Sequence, residues 1–71
     1  MLIENQSGDK LINTENATMI YIDDKYNVLA EFTNNRYVIL GNYDNEYRAN
    51  EVLEKIAQCY GAINTFVMPE K

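Results

Sequence analysis

Three closely spaced runs of strand-like sequence carry apolar residues on both faces, and this feature most constrains the fold. The runs cover residues 18–22, 27–33 and 36–41. Successive residues of a strand point to opposite faces, so a strand that is apolar throughout needs cover on both sides. Only one helical segment follows the three runs. The mismatch indicates a second chain or a ligand on the uncovered face.

The length of the chain makes a second copy the expected cover. A domain of 71 residues buries only about 60% of the surface that its unfolded chain exposes. Small folds usually compensate with disulfides, a metal or oligomerisation. Cys59 is the only cysteine, there is no histidine, and no loop offers a recognisable set of oxygen ligands. We therefore expect a homo-oligomer, a dimer or larger, without a metal or other cofactor.

The charge limits the possible partners. Eleven acidic and six basic residues give a net charge of −5, which disfavours nonspecific attraction to nucleic acid or to an anionic membrane. The acidity has three possible interpretations: it keeps the protein soluble, it allows docking on a basic protein surface, or it forms an acidic shell around a locally basic pocket. No apolar run approaches the roughly 20 residues that span a bilayer, and the N-terminus lacks a signal-peptide pattern. Together with the single cysteine, this predicts a cytoplasmic location.

The pattern along the chain predicts one α+β domain. Residues 1–43 read as antiparallel hairpins with about five short strands, and residues 44–61 read as one helix packed on one face of the sheet. Asp44 or Asn45 is the expected helix cap. The apolar tail that follows is predicted to extend the helix, add a strand to the sheet or pair with a neighbouring chain, and residues 69–71 are predicted to be disordered.

Register arguments divide the sheet into an aromatic and an aliphatic face. A two-residue turn at Asn34-Asn35 pairs Phe32 with Tyr37 and Ala30 with Ile39, whereas a three-residue turn would reverse the faces of one strand. The helix is expected to cover the aliphatic face, with the N-terminal hairpin folding over the aromatic face as the alternative. The predicted oligomer interface is aromatic and methionine-rich; it comprises Met19, Tyr21, Phe32, Tyr37 and Ile39.

The strand-to-helix junction, residues 40–48, is the best candidate ligand site. Gly41 permits a ligand to approach the backbone closely, and the rings of Tyr43 and Tyr47 can stack on a base. The guanidinium of Arg48 can bind a phosphate through two N–H groups, beside the free N–H groups of the helix N-terminus. Arg36 is a further candidate anion ligand, since two copies of an arginine can converge in an oligomer. The alternative for the junction is capping and packing, with Arg48 paired to nearby carboxylates.

Classical catalysis is not expected. Without histidine the commonest general base is missing, and no nucleophile or phosphate-loop motif occurs among three glycines. Asp23-Asp24 is the only adjacent carboxylate pair, and such a pair in a hairpin loop usually faces solvent. The sequence therefore predicts a protein that is not an enzyme.

Several short segments resemble small phage and prophage proteins of Gram-positive bacteria. The matching residues are Leu40-Gly41-Asn42-Tyr43, Arg48-Ala49 and 52–56, with Ile12-Asn13 and Tyr21-Ile22 upstream. Asp44-Asn45 and Tyr47 depart from the pattern at the helix start. The resemblance implies a phage accessory protein that inhibits host antiviral defence in the bacterial cytoplasm.

Two mechanisms are compatible with this resemblance, and the aromatic face, the arginine at the helix start and the expected oligomer favour the first. In the first, an oligomer sequesters a nucleotide second messenger, such as a cyclic nucleotide, between its chains without cleaving it. In the second, the acidic protein blocks a nucleic-acid-binding defence effector, as anti-CRISPR proteins do. A regulatory or scaffolding protein of prophage origin is the third possibility.

Overall fold

The computed structural model describes all 71 residues and contains six strands and one helix. In chain order the elements are β1 (Leu2–Glu4), β2 (Leu11–Asn13), β3 (Ala17–Ile22), β4 (Asn27–Phe32), β5 (Tyr37–Asn42), α1 (Glu46–Cys59) and β6 (Thr65–Val67). The predicted α+β class with one helix after the hairpins is confirmed. The strands number six because the apolar tail forms β6.

The strands form two three-stranded sheets rather than one. The large sheet has the order β3-β4-β5 and is antiparallel throughout. The small sheet has the order β2-β1-β6, in which β1 pairs with β2 antiparallel and with β6 parallel. The predicted N-terminal hairpin is therefore present, and the tail completes its sheet.

Three-residue turns set the register of the large sheet. The backbone N–H of Asp23 donates to Asn27, and that of Phe32 donates to Arg36, so each loop contains three residues. Each loop ends in a left-handed residue, Tyr26 or Asn35, both with φ 64°. A type I turn followed by such a residue is a common three-residue hairpin connection.

The predicted two-residue register is therefore wrong. Tyr37 pairs with Glu31 rather than with Phe32, and Ile39 pairs with Leu29 rather than with Ala30. A bulge between Val28 and Leu29 shifts the pairing near the other end of β5. Because both turns around β4 have an odd length, β4 alone is reversed relative to the prediction, and β3 and β5 keep their predicted faces.

The two faces of the large sheet differ in what covers them. The inner face packs against α1 and carries Ile20, Ile22, Val28, Ala30, Phe32, Val38 and Leu40. The outer face is the side on which β4 presents Leu29 and Glu31. Its residues are Met19, Tyr21, Leu29, Glu31, Tyr37 and Ile39. The prediction that the helix covers the aliphatic residues of β3 and β5 is confirmed, because those residues lie on the inner face.

The helix follows its apolar stripe. Asn45 is the N-cap, and its side-chain oxygen accepts a 2.8 Å hydrogen bond from the backbone N–H of Arg48. Ala49, Val52 and Ile56 are the buried residues of α1. The helix runs over Glu46–Cys59, within the predicted 44–61, and Gly61 has a φ of 83° directly after its end.

The small sheet shares one core with the helix and the inner face. Ile3, Ile12 and Phe66 lie side by side across its three strands and are buried in the same cluster as Val28 and Val52. The N-terminal hairpin therefore does not cover the aromatic side chains of β3 and β5, as the alternative prediction required. The chain leaves the outer face uncovered.

The last three residues are held in place, contrary to the predicted disorder. The carbonyl of Pro69 accepts a hydrogen bond from Tyr43, that of Glu70 accepts one from Gln6, and that of Lys71 accepts one from Arg48. Met68, just before them, is almost completely buried. The tail is thus part of the packed structure.

Candidate binding surfaces

At the strand-to-helix junction, Gly41 and Tyr43 belong to the protein interior. Tyr43 is 3% exposed, and its hydroxyl donates a 2.9 Å hydrogen bond to the carbonyl of Pro69. A Cβ at position 41 would lie 2.8 Å from the Tyr43 hydroxyl oxygen, so glycine is required by the approach of the ring. Burial raises the pKa of Tyr43, an effect that the nearby Arg48 partly offsets. The ring of Tyr43 packs inside the chain instead of facing a ligand.

Arg48 makes contacts that match the packing alternative. Its Nε donates a 2.8 Å hydrogen bond to the carbonyl of Lys71, and its guanidinium forms an ion pair with Glu51. The guanidinium carbon lies 5.8 Å from the centre of the Tyr43 ring. In one chain, these contacts direct Arg48 toward the C-terminal segment and the first turns of α1.

The remaining ligand candidates are not brought together. Tyr47 is 82% exposed on the outside of α1, where its neighbours include the acidic residues Glu51 and Glu54. Arg36 lies in the β4–β5 turn, so the six residues of β5, roughly 20 Å of strand, separate it from the junction. A single chain therefore has no pocket that combines Arg36, Arg48 and two tyrosines.

The outer face of the large sheet is an exposed apolar surface. Met19, Tyr37 and Ile39 are 49%, 62% and 48% exposed, and they surround Leu29, which is 3% exposed. Tyr21, opposite Leu29, is half-buried. Four of the five residues predicted for an oligomer interface thus share one face. Phe32 is the exception, because the reversal of β4 turns it to the inner face.

Glu31 is the only charged residue on this face. It lies on the central strand, between Met19 of β3 and Tyr37 of β5. The register prediction placed Glu31 on the other side, so sequence reasoning missed it. The odd length of the two turns was the only signal that could have found it.

Gln6 blocks one edge of the large sheet. Its backbone N–H donates a 2.8 Å hydrogen bond to the carbonyl of Leu40. Its side-chain oxygen accepts a 2.8 Å bond from the backbone N–H of Asn42, and its side-chain nitrogen donates a 2.9 Å bond to the carbonyl of the same residue. These bonds occupy the part of β5 near α1. Open strand edges are sites of pairing with other chains, so Gln6 protects this one.

The opposite edge, on β3, borders an apolar groove. The groove has a volume of about 300 Å³, and all its lining residues are hydrophobic. Met19 and Ile20 point to opposite faces, so a groove lined by both lies at the edge of the strand. The lining residues are Ala17, Met19, Ile20, Leu53, Ile56, Ala57 and Tyr60. The periodicity of the sequence predicts that Leu53, Ala57 and Tyr60 belong to the core-facing stripe of α1. In the structure only Ala49, Val52 and Ile56 of that stripe are buried, and the other three residues lie at its margin.

A second hollow, lined in part by acidic side chains, lies further along β3 and α1, beside Ile22. The apolar groove and this acidic hollow are together called the crevice. Asp23 and Asp24 from the β3–β4 turn and Glu46 from the start of α1 line the acidic hollow. Asp23 is already engaged, because its carboxylate accepts hydrogen bonds from the backbone N–H groups of Lys25 and Asn27 and from the Asn27 side chain. These bonds, that of the Asn27 side chain first, lower the pKa of Asp23. No group of three or more cysteine or acidic side chains is arranged to hold a metal ion.

Comparisons with models of protein families, with curated proteins and with solved structures find no match. The 14-residue helix lacks the length and the apolar character that crossing a membrane requires.

Proposed function

We propose that this chain is a non-catalytic protein-binding module that recognises a basic protein surface through its outer face. The observation that carries the proposal is the exposed cluster of Met19, Tyr37 and Ile39 around the buried Leu29, with Glu31 among them. Interfaces are enriched in tyrosine and methionine at their centre. An apolar patch exposed in this way marks an interaction site.

Charge favours a basic partner over a second copy of the chain. The protein carries a net charge of −5, and Glu31 is the only charged group on the outer face. Two copies that meet through this face would bring two acidic surfaces together, which costs binding energy. A partner with lysine or arginine around an apolar centre would pair with Glu31 and be attracted at long range. Surfaces that bind nucleic acid carry the required positive charge, as expected for the defence effector that the resemblance implies.

Nucleotide sequestration has less geometric support. Within one chain the Tyr43 ring is buried, and Arg48 contacts Glu51 and Lys71. That function therefore requires groups from several chains. Calorimetry with a panel of cyclic nucleotides tests it directly, since stoichiometric binding with release of intact nucleotide would favour it over the present proposal.

The decisive variant is Ile39→Asp, with Leu11→Asp as the matched control. Both residues are exposed on strands, but Leu11 lies on β2, outside the outer face. Purified basic nucleic-acid-binding proteins serve as probes in a titration against the labelled chain. We expect at least one of them to bind, with binding reduced at least tenfold by Ile39→Asp and less than twofold by Leu11→Asp.

Sedimentation of the chain alone separates the alternatives. A monomer whose binding depends on Ile39 supports the proposal. A dimer that Ile39→Asp dissociates and Leu11→Asp leaves intact would show that a second copy occupies the outer face. Equal effects of the two substitutions on probe binding would overturn the proposed surface.

A further inference from the structure

The structure assigns a second interaction surface to the crevice between β3 and α1: it points to a binding site for an extended peptide with apolar residues and one basic residue. This inference rests on the proposed function only in taking the partner to be a basic protein. It names the kind of segment that such a partner would contribute, and it uses different residues from the outer face.

The backbone of β3 is prepared to accept another strand. The backbone N–H of Asp23 donates to the carbonyl of Asn27, so these residues mark a bonded position of the ladder, and such positions recur at every second residue of an antiparallel pair. Tyr21 and Met19 are therefore bonded to β4, and the N–H and C=O groups of Ile20 and Ile22 point away from the sheet. No residue caps this edge in the way that Gln6 caps β5. Addition of a peptide strand to such an edge is a common mode of recognition.

The side chains along the edge define what the peptide must carry. Beside Ala17 and Ile20 the crevice is apolar, and its other wall is formed by Leu53, Ala57 and Tyr60. Beside Ile22 the crevice becomes acidic, with Asp24 and Glu46 exposed and making no hydrogen bond or ion pair through their carboxylates. Residues two apart on a strand share a face. A peptide with apolar residues at two alternate positions and a basic residue two positions further would therefore match the apolar and the acidic parts of the crevice.

A second copy of the chain is a poorer occupant. Antiparallel pairing of two β3 strands centred on Ile20 would place the uncharged Asn16 of one copy opposite Asp24 of the other, and Lys25 would lie opposite Glu15 instead. The segment from Ala17 to Ile22 contains no basic residue, so the acidic end of each crevice would receive no cation. Charge complementarity therefore favours a foreign peptide with lysine or arginine.

The experiment uses blocked, fluorescently labelled peptides with the sequence Thr-Val-Thr-Val-Thr-Lys-Thr and its reverse, because the direction of the added strand is free. Matched peptides carry glutamate in place of lysine. Fluorescence anisotropy with the full chain measures binding at low and at physiological salt. We expect one lysine peptide to bind at least tenfold more tightly than its glutamate counterpart, and binding to weaken as salt is raised.

Two substitutions locate the site. Asp24→Lys should weaken binding of the lysine peptide at least fivefold and strengthen binding of the glutamate peptide. Glu70→Lys makes the same charge change outside the crevice and should leave both affinities unchanged. Ala57→Phe fills the apolar end and should weaken the peptide at least tenfold, with Ala62→Phe, exposed after the end of the helix, as its control. Circular dichroism of each variant confirms that the fold is retained.

Amide exchange measured by nuclear magnetic resonance gives a readout independent of affinity. Peptide addition should slow exchange at the N–H groups of Ile20 and Ile22 more than at those of β5. The inference is overturned if no peptide binds at millimolar concentration, or if Glu70→Lys acts as strongly as Asp24→Lys. It is also overturned if sedimentation shows a dimer that Ala57→Phe dissociates. Ile39→Asp should leave peptide binding unchanged, so failure here is distinct from failure of the outer-face proposal.

Discussion

The two faces of the large sheet have similar proportions of apolar residues but differ in their exposure to solvent. The inner face, with Val28, Ala30 and Leu40, is dry beneath α1 and the small sheet, whereas the outer face leaves Tyr37 and Ile39 in contact with solvent. Apolar content therefore does not say which face is the core. The helix and the small sheet cover only one of the two faces, and the number of residues in the two hairpin turns decides which side chains of β4 lie on it.

Deletion of Asn35 should have the largest effect on this difference. A two-residue loop at Thr33-Asn34 would move β5 by one position relative to β4 and turn Leu40 away from the core. Two or three buried side chains would then be exposed at about 1.5–3 kcal/mol each, most of the stability of a small domain. Urea denaturation followed by circular dichroism should find the deletion variant largely unfolded.

The control for that deletion is Asn35→Gly, which keeps the loop length and suits the φ of 64°. It should match or slightly exceed the stability of the original protein. A deletion variant with unchanged stability would show that turn length does not fix the faces.

Neighbouring residues on β5 offer the next comparison. Leu40 is 1% exposed on the inner face, and Ile39 is 48% exposed on the outer face. Leu40→Ala should reduce the free energy of unfolding by about 2–5 kcal/mol, and Ile39→Ala by less than about 1 kcal/mol, because only the first leaves a cavity. Similar losses from the two substitutions, measured in urea, would mean that the outer face is also buried, for instance in an oligomer.

Gly41→Ala tests how tightly the inner side is packed where β5 meets the helix start. The added methyl group would lie 2.8 Å from the Tyr43 hydroxyl oxygen and 3.1 Å from a ring carbon. We expect a loss of about 1–3 kcal/mol from overpacking. In the double variant with Tyr43→Phe, the closest contact disappears, so the combined loss in thermal unfolding should be smaller than the sum of the single losses. Additive losses would contradict the proposed contact.

The smallest effect is expected at the β3–β4 turn, which fixes one side of the register of β4. The pKa of Asp23 is lowered below 3.8 by hydrogen bonds, mainly from the Asn27 side chain. A lowered pKa means that the ionised carboxylate stabilises the folded state above pH 3.8 and that this contribution is lost as the pH falls through the folded pKa. The stability difference between the original protein and Asp23→Asn should therefore shrink between pH 5 and pH 2.

Urea midpoints across that pH range measure the effect. Asp24→Asn is the control, since it makes the same charge change in the same turn but removes no hydrogen bond. An identical acid dependence for the two variants would mean that the Asp23 bonds do not support the turn.

The candidate surfaces were only partly accessible from the sequence. Met19, Tyr21, Tyr37 and Ile39 share a face as predicted. Alternation within β3 and within β5 is a local property, and the two odd turns reverse only β4 between them, so their effects on β3 relative to β5 cancel. Glu31 and Phe32 exchanged faces because one residue in a turn is enough to reverse a strand. The contacts of Arg48 with Lys71 and of Gln6 with β5 join residues far apart in the chain, and no local pattern predicts them.

The sequence by itself determined where β1 to β5 and the helix lie, that the large sheet is apolar on both sides, and that α1 has one buried stripe. These follow from periodicities of two and about 3.6 residues, which each segment carries alone. Only the tertiary structure decided which side of β4 is the core, that the tail pairs in parallel with β1, and which sheet edge stays open. Those choices depend on turn geometry and on hydrogen bonds between distant segments. Such bonds form only when the folded chain brings those segments together.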